Sequence, residues 1–246
     1  MRRKNNVLTY LMLMTLASGI LCGEVKAQTP AKDCQNSSSD AAIAACNEFI
    51  RLNPENAAAY YNRGNAWSAK GDKDRAIADY NEAIRLNPQY ADAYYNRGKT
   101  WSDKGDKDRA IADYNEAIRL NPQYVPAYNN RGIEWSDKGD NDRAIADYNE
   151  AIRLNPQFVQ AYNNRGLARS DKGDKDRAIA DYNEAIRLNP QYADAYYNRA
   201  LYWEFKNDLV QALTDFRSFA RLNPSDPDGP KAIQRIENKI DAKKVR

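Results

Sequence analysis

A 34-residue unit is repeated along most of this chain. Residues 57–90 read AAAYYNRGNAWSAKGDKDRAIADYNEAIRLNPQY, and further copies follow at 91–124, 125–158, 159–192 and 193–226. A fixed period of this length is typical of a repeat array. In such an array each unit buries its apolar surface against its neighbours, so no single central core is needed.

Each copy is predicted to contain two helices. In the first copy, one helix runs from about residue 58 to residue 70 and ends at Gly71, because glycine readily adopts the left-handed conformation. Asp72 then begins the second helix, where its charge complements the exposed N–H groups. This helix ends near Leu86, since Pro88 prevents its continuation. The turns are short, so the two helices must be antiparallel.

Aromatic and small residues recur at fixed places on the facing sides of these helices. In the first copy they are Tyr60, Gly64, Trp67, Ala76, Tyr80, Ala83 and Pro88. This pattern resembles the tetratricopeptide repeat (TPR) family over 57–226, and over the half-unit that precedes it. The resemblance implies an all-α fold. It would be an α-solenoid of stacked antiparallel helix pairs, a right-handed superhelix with an N-terminal half-repeat and a C-terminal capping helix.

One recurring residue departs from the family pattern, because an arginine stands where a leucine is commoner. The arginines are Arg63, Arg97, Arg131, Arg165 and Arg199. An arginine in a packed helical face needs a partner of opposite charge. We predict ion pairs with aspartates of the second helices, Asp79, Asp113, Asp147, Asp181 and Asp215.

The two ends of the array differ from its middle. Residues 28–56 contain the second helix of a repeat without its first helix, and Ser37 with Asp40 is a candidate capping arrangement. Residues 227–246 form a predicted capping helix. Its apolar side is Ile233, Ile236 and Ile240. A helix lying on a membrane surface is the alternative for this segment.

Residues 1–27 have the pattern of a secretory signal peptide. A basic start is followed by a mostly apolar stretch and by small or modest residues before Ala27. Cleavage after Ala27 would make the protein periplasmic or secreted, with no stable membrane insertion. A retained membrane anchor is the alternative, although the apolar stretch is short for a membrane span.

Cleavage would remove Cys22 and leave Cys34 and Cys46. An exported chain with two cysteines favours a disulfide. Closing so short a loop would contribute about 3 kcal/mol in the chain-entropy model. Two free, partly buried thiols are the alternative.

Composition excludes several classes of function. Residues 1–27 contain four basic residues and one acidic residue, so they account for the whole formal charge of +3. The remainder is formally neutral, which does not favour a nucleic-acid surface. Histidine is absent, which removes the commonest general base and metal ligand. No phosphate-binding loop occurs, and 102–108 lacks the closing glutamate of a calcium loop. We therefore predict neither an enzyme nor a cofactor or metal site.

The resemblance implies that the first helices line a concave groove for an extended peptide or a partner helix. One groove-facing place is an asparagine in every copy, at Asn62, Asn96, Asn130, Asn164 and Asn198. An amide offers a donor and an acceptor, so it can pair with both groups of one peptide unit. We predict a ladder that holds an extended backbone, similar to the asparagine ladder in the TPR superhelix of O-linked N-acetylglucosamine transferase. The alternative is that these asparagines reflect recent duplication or cap local backbone.

Neighbouring groove places are expected to select side chains of the ligand. They are Tyr61, Tyr95, Ile133, Leu167 and Leu201. The groove does not resemble the carboxylate clamp of chaperone adaptors, because Tyr61, Pro126 and Asn130 stand where that clamp has basic residues. The sequence thus predicts a scaffold that binds a protein or peptide. Assembly of the near-identical repeats into a homo-oligomer is the alternative.

Overall fold

The computed structural model describes residues 33–34 and 40–244. From Asp40 to Lys244 it contains twelve α-helices and no β-strand. They are α1 (Asp40–Leu52), α2 (Ala57–Ala69), α3 (Lys73–Leu86), α4 (Ala91–Asp103), α5 (Lys107–Leu120), α6 (Val125–Asp137), α7 (Asn141–Leu154), α8 (Val159–Asp171), α9 (Lys175–Leu188), α10 (Ala193–Phe205), α11 (Leu209–Leu222) and α12 (Asp228–Lys244). The signal-peptide interpretation of 1–27 and the capping role of Ser37 lie outside the described residues.

The chain forms two compact units, one ending at Thr100 and the other beginning at Trp101. In the second unit, α6 packs on α7, α8 on α9 and α10 on α11, and each pair packs on the next. In the first unit, α2 packs on α3 and on α1, the helix of the half-repeat. This succession of packed helix pairs confirms the predicted all-α solenoid fold.

Local sequence sets the helix boundaries. Asp140 caps the start of α7, because its Oδ1 accepts a hydrogen bond from the backbone N–H of Arg143 at 3.0 Å. The turn before it contains Gly139 with a φ of 80°, a conformation that costs glycine little. In the last repeat Asn207 occupies the same place, with a φ of 62°.

Close contact between paired helices depends on a small residue facing an aromatic ring. In the third repeat, a Cβ added to Gly132 would lie 2.6 Å from Cε1 of Tyr148. The side chain of Tyr148 is fully buried. The glycine therefore leaves the space that the tyrosine ring fills, as the sequence pattern predicts.

The predicted arginine–aspartate pairs are confirmed in four repeats. In the third repeat, Nη2 and Nε of Arg131 donate to the two carboxylate oxygens of Asp147 at 2.6 and 2.9 Å. The equivalent pairs are Arg63–Asp79, Arg165–Asp181 and Arg199–Asp215. Arg169, which replaces the tryptophan of the other copies, also donates to Asp181 at 2.7 Å.

The C-terminal helix α12 caps the last repeat. Ile236 is fully buried among Ala212 and Phe216 of α11 and neighbouring apolar side chains, and Ile233 and Ile240 pack against the same cluster. The apolar side of α12 is thus used in packing. No helix in the described part of the chain is both long enough and apolar enough to cross a membrane.

At the other end, the sulfur atoms of Cys34 and Cys46 lie 2.11 Å apart, at bonding distance. Both residues are buried, and they contact Ile50 and Ala59. Cys46 occupies the place of the buried tyrosine in the full repeats, so the bridge covers the side of α1 that lacks a preceding helix.

We expect the purified protein to contain this bridge. Peptide mapping by mass spectrometry without reduction should recover one linked pair, Cys34 with Cys46, and no alkylated thiol at either position. Recovery of both cysteines in alkylated form from protein made in an oxidising compartment would contradict the expectation.

Glu134 on α6 is buried, at a place where the other copies have Ala66, Thr100, Ala168 and Tyr202. Burial raises the pKa of its carboxyl group, and a hydrogen bond with Ser102 lowers that pKa to a smaller degree. The folded chain therefore holds the proton to higher pH than the unfolded chain. Stability consequently falls as the pH rises from the pKa of Glu134 in the unfolded chain to its higher pKa in the folded chain. Above the folded pKa, the full loss of stability remains.

Replacing Glu134 with glutamine should raise the free energy of unfolding at pH 7.5 by about 1 kcal/mol. The gain should shrink towards pH 4, where the glutamic acid is already neutral. Thermal melts at both pH values measure the effect. Glu150→Gln is the matched control and should give no gain, because a hydrogen bond from Arg153 lowers the pKa of Glu150. Equal gains from both variants would contradict this explanation.

Candidate functional site

The first helices of the second unit present a shared face. Helix α8 contacts both α6 and α10 directly, in addition to its own partner α9. First helices that touch their counterparts in neighbouring repeats bring equivalent side chains close together. The predicted groove residues of this unit all lie on these three helices.

Asparagine side chains of the second unit form a continuous chain of hydrogen bonds across three repeats, which we call the amide chain. Asn198 donates to Oδ1 of Asn163 at 2.8 Å, and Asn163 donates to Oδ1 of Asn164 at 3.4 Å. Asn164 in turn donates to Oδ1 of Asn129 at 3.1 Å, and Asn129 donates to Oδ1 of Asn130 at 3.2 Å. The ladder residues of adjacent repeats are therefore linked through the asparagines beside them.

The amide chain leaves part of the Asn164 amide available. A carboxamide has two N–H donors and two acceptor lone pairs. The two bonds of Asn164 use one N–H and one lone pair. One donor and one acceptor remain, which is the pair that a peptide unit requires. Asn129 and Asn163 are buried, whereas Asn130, Asn164 and Asn198 are half-buried and reachable.

The amide chain also fixes side-chain orientation. A free asparagine loses rotamer freedom when it binds a ligand, and that loss reduces affinity. Here bonds within the protein already hold the rotamers.

The first unit contains a shorter network of the same kind. Asn96 donates from Nδ2 to the hydroxyl of Tyr61 at 2.9 Å and to Oδ1 of Asn65 at 3.0 Å. The hydroxyl of Tyr80 also donates to Asn65, at 2.8 Å. Burial raises the pKa of Tyr61, so this phenol keeps its proton at neutral pH. The ring of Tyr61 lies 4.8 Å from that of Tyr90.

Two further predicted groove residues lie in the first unit. Asn62 is half-buried on α2, and Tyr95 is half-buried on α4. In the second unit, Ile133, Leu167 and Leu201 are each about 40% exposed, more than most large apolar residues of the chain. They can therefore contact a ligand.

A cavity of about 350 Å³ lies at the end of the second unit. Its amide side is Asn163, Asn164 and Asn198, at one end of the amide chain. The remaining lining residues are Leu167, Tyr192, Asp194, Tyr197, Phe219, Asp226 and Asp228. Burial, together with the smaller effect of the nearby Asp194, raises the pKa of Tyr192 to about 12, so Tyr192 is neutral at physiological pH.

Sequence reasoning missed two parts of this site. Asn129 and Asn163 were expected among the groove places, but their hydrogen bonds to the next repeat were not predicted, because these bonds join places 35 residues apart rather than 34. The carboxylates of the cavity were also missed. Asp226 was visible as a departure from the aromatic residue that ends every other copy.

Within the described residues, no group of three or more cysteine, aspartate or glutamate side chains is arranged to hold a metal ion. The shared face offers hydrogen bonding, apolar contact and charge.

Two family models match the sequence. The model described as Tetratricopeptide repeat matches 57–90, 91–124 and 159–192, and the model described as TPR repeat matches 136–173. These matches together span about half of the chain. No curated protein matches the sequence significantly.

Solved structures with similar folds are TPR proteins and MamA. A crystal structure of MamA has a TM-score of 0.60 and 27% identity, covering 66% of this chain and 95% of that chain. MamA from Desulfovibrio magneticus RS-1 has a TM-score of 0.63 and 20% identity, covering 70% and 97%. YrrB, described as a TPR protein with an unusual peptide-binding site, has a TM-score of 0.62 and 22% identity, covering 80% and 100%.

Sequence and fold lead to the same assignment. The matched repeats 57–90 and 159–192 coincide with packed helix pairs, and the similar folds include TPR proteins. TPR folds serve as scaffolds for protein–protein interaction and are generally without enzymatic activity. This chain belongs to the tetratricopeptide repeat family.

Proposed function

We propose that this protein is a binding scaffold that holds an extended segment of a partner protein against the amide chain of the second unit. The amide chain itself carries the proposal. It places half-buried amides at equivalent places of successive repeats, on a face where apolar side chains are also exposed. Recognition would depend mainly on the peptide backbone, with selectivity from Ile133, Leu167 and Leu201.

Buried amides are costly unless they form hydrogen bonds, so their presence here needs a reason. Asn129 and Asn163 are almost inaccessible yet polar. They act as fixed supports for the reachable amides of Asn130, Asn164 and Asn198. The description of YrrB as having a peptide-binding site offers a parallel, but at 22% identity that likeness concerns the fold alone.

We further propose that the protein acts outside the cytoplasm, in the periplasm or after secretion. Residues 1–27 support this proposal by their signal-like pattern. The pairing of Cys34 with Cys46 is consistent with an oxidising compartment.

Selection from a displayed library of random 12-residue peptides tests the function. The purified protein should enrich binders, and their affinity should be measured by fluorescence anisotropy. Size-exclusion chromatography with light scattering should show a monomer when the protein is alone. When a partner protein that carries a selected peptide is added, the mass should rise by the mass of one partner. A library that yields no binder, together with a mass that rises with protein concentration alone, would instead favour a self-assembling structural protein.

A further inference from the structure

The last repeat departs from the others at two places that act together. At its 27th place every other full repeat has alanine, namely Ala83, Ala117, Ala151 and Ala185, and the last has Phe219. At its 34th place every other repeat has Tyr90, Tyr124, Phe158 or Tyr192, and the last has Asp226. The last repeat therefore has an aromatic side chain at the 27th place, inside the helix pair, and a carboxylate instead of an aromatic ring at the 34th place.

The ring of Phe219 forms one wall of the cavity. Phe219 lies 4.9 Å from the ring of Tyr197, measured between centroids. Tyr192 and Leu167 add further apolar surface. The cavity could accept the aliphatic part of a long side chain along these walls.

Three carboxylates line the same cavity, Asp194, Asp226 and Asp228. Asp226 accepts a hydrogen bond from the backbone N–H of Asp228 at 2.9 Å and another from Asn223 at 3.3 Å. Asp228 pairs with Lys231, whose Nζ lies 3.5 Å away, and both side chains are exposed. Exposed pairs of this kind are weak, so the cavity retains a net negative charge.

We propose that this cavity takes the side chain of a lysine or arginine from the bound peptide. The proposal rests on the proposed function, since the amides of Asn163, Asn164 and Asn198 would hold the adjacent backbone. A cation over an aromatic face is attracted by the ring, and the carboxylates add to that attraction. An acidic side chain would be repelled, and an apolar one would leave the carboxylates without a counter-charge.

The test uses the library-selected peptides and a variant with neutral cavity residues, Asp194→Asn/Asp226→Asn/Asp228→Asn. Asparagine still accepts hydrogen bonds, so the start of α12 is preserved. A matched control, Glu116→Gln/Glu150→Gln/Glu184→Gln, makes the same charge change on exposed second helices. Selected peptides should share one lysine or arginine. Its replacement by norleucine should weaken binding at least tenfold to the wild type and to the control, and less than twofold to the cavity variant.

Binders without a shared cationic residue, or equal binding of lysine and norleucine peptides, would overturn the cation cavity and leave the scaffold function standing. The cavity is also probed directly with N-acetyl-lysine methylamide and its norleucine counterpart. Side-chain amide NMR signals of Asn163, Asn164 and Asn198 should shift with the lysine compound only. Equal response to both compounds, or to neither, would overturn the proposal even if the library yields no binder.

Discussion

Replacing Asp147 with alanine is expected to lower the free energy of unfolding by about 3–5 kcal/mol, because the partly buried charge of Arg131 loses its carboxylate partner. The side chain of Arg131 is 19% exposed, and two of its nitrogens donate to Asp147. After the substitution, Arg131 keeps its hydrogen bond to Asn115 and its contact with the ring of Tyr128, 5.6 Å from the centroid, but loses the opposite charge of Asp147. Urea denaturation at pH 7 measures the loss.

A matched control lies on the same helix as Asp147. Glu150 pairs with Arg153 three residues later, and both side chains are largely in water. Exposed pairs contribute about 0–1 kcal/mol, so Glu150→Ala should have a small effect. If Asp147→Ala costs no more than Glu150→Ala, the ion pairs are not structural elements of the array.

Removal of the arginine should depend on what replaces it. Arg131→Leu is expected to be milder than Arg131→Ala, because leucine retains apolar contact in the helical face. Burial raises the pKa of Asp147 even with Arg131 beside it. Without the arginine, Asp147 can take up a proton more readily, so the cost of Arg131→Leu should shrink as the pH falls from 7 to 4.5. Equal losses from the leucine and alanine variants would count against the pairing as the main contribution.

The largest expected effect on binding comes from the double variant Asn130→Ala/Asn164→Ala. Each amide lost should cost about 1 kcal/mol or more, so the affinity for a selected peptide should fall about 10- to 100-fold. Fluorescence anisotropy measures the change, at a temperature where melts show the variant to be folded. An unchanged affinity would refute the role of the asparagines.

Asn115→Ala/Asn149→Ala is the appropriate control for that experiment. These asparagines are also 34 residues apart, and each accepts a hydrogen bond from an arginine, Arg131 or Arg165. They lie on the second helices α5 and α7 rather than on the shared face of the first helices. The control should therefore lose stability without losing peptide affinity.

The repeat pattern predicts the fold well because its signals are local or periodic. Gly132 and Tyr148 recur at fixed spacing, so their facing contact could be inferred from the family resemblance. The partnership of Arg131 with Asp147 could be inferred from charge and burial. In both cases the two contacting residues lie in the same repeat, so the pattern within one repeat is enough to predict the contact.

The candidate site could be predicted only in part, because it arises between repeats. The period identifies Asn130 and Asn164 as equivalent, but it does not say how far apart they lie or what stands between them. Contact between α6 and α8 brings Asn129 into that space. The cavity depends on two departures from the repeat pattern, Phe219 and Asp226. Their combined effect becomes visible only when the helices are packed.

If the amide chain holds a peptide by its backbone, methylation of the peptide's backbone nitrogens should weaken binding. A selected peptide is compared with versions carrying single N-methyl groups at successive central positions, which remove one donor each and leave every side chain unchanged. Methylation at alternate positions should weaken binding at least tenfold to the wild type, and much less to Asn130→Ala/Asn164→Ala. Full affinity for every N-methylated peptide would contradict binding through the backbone.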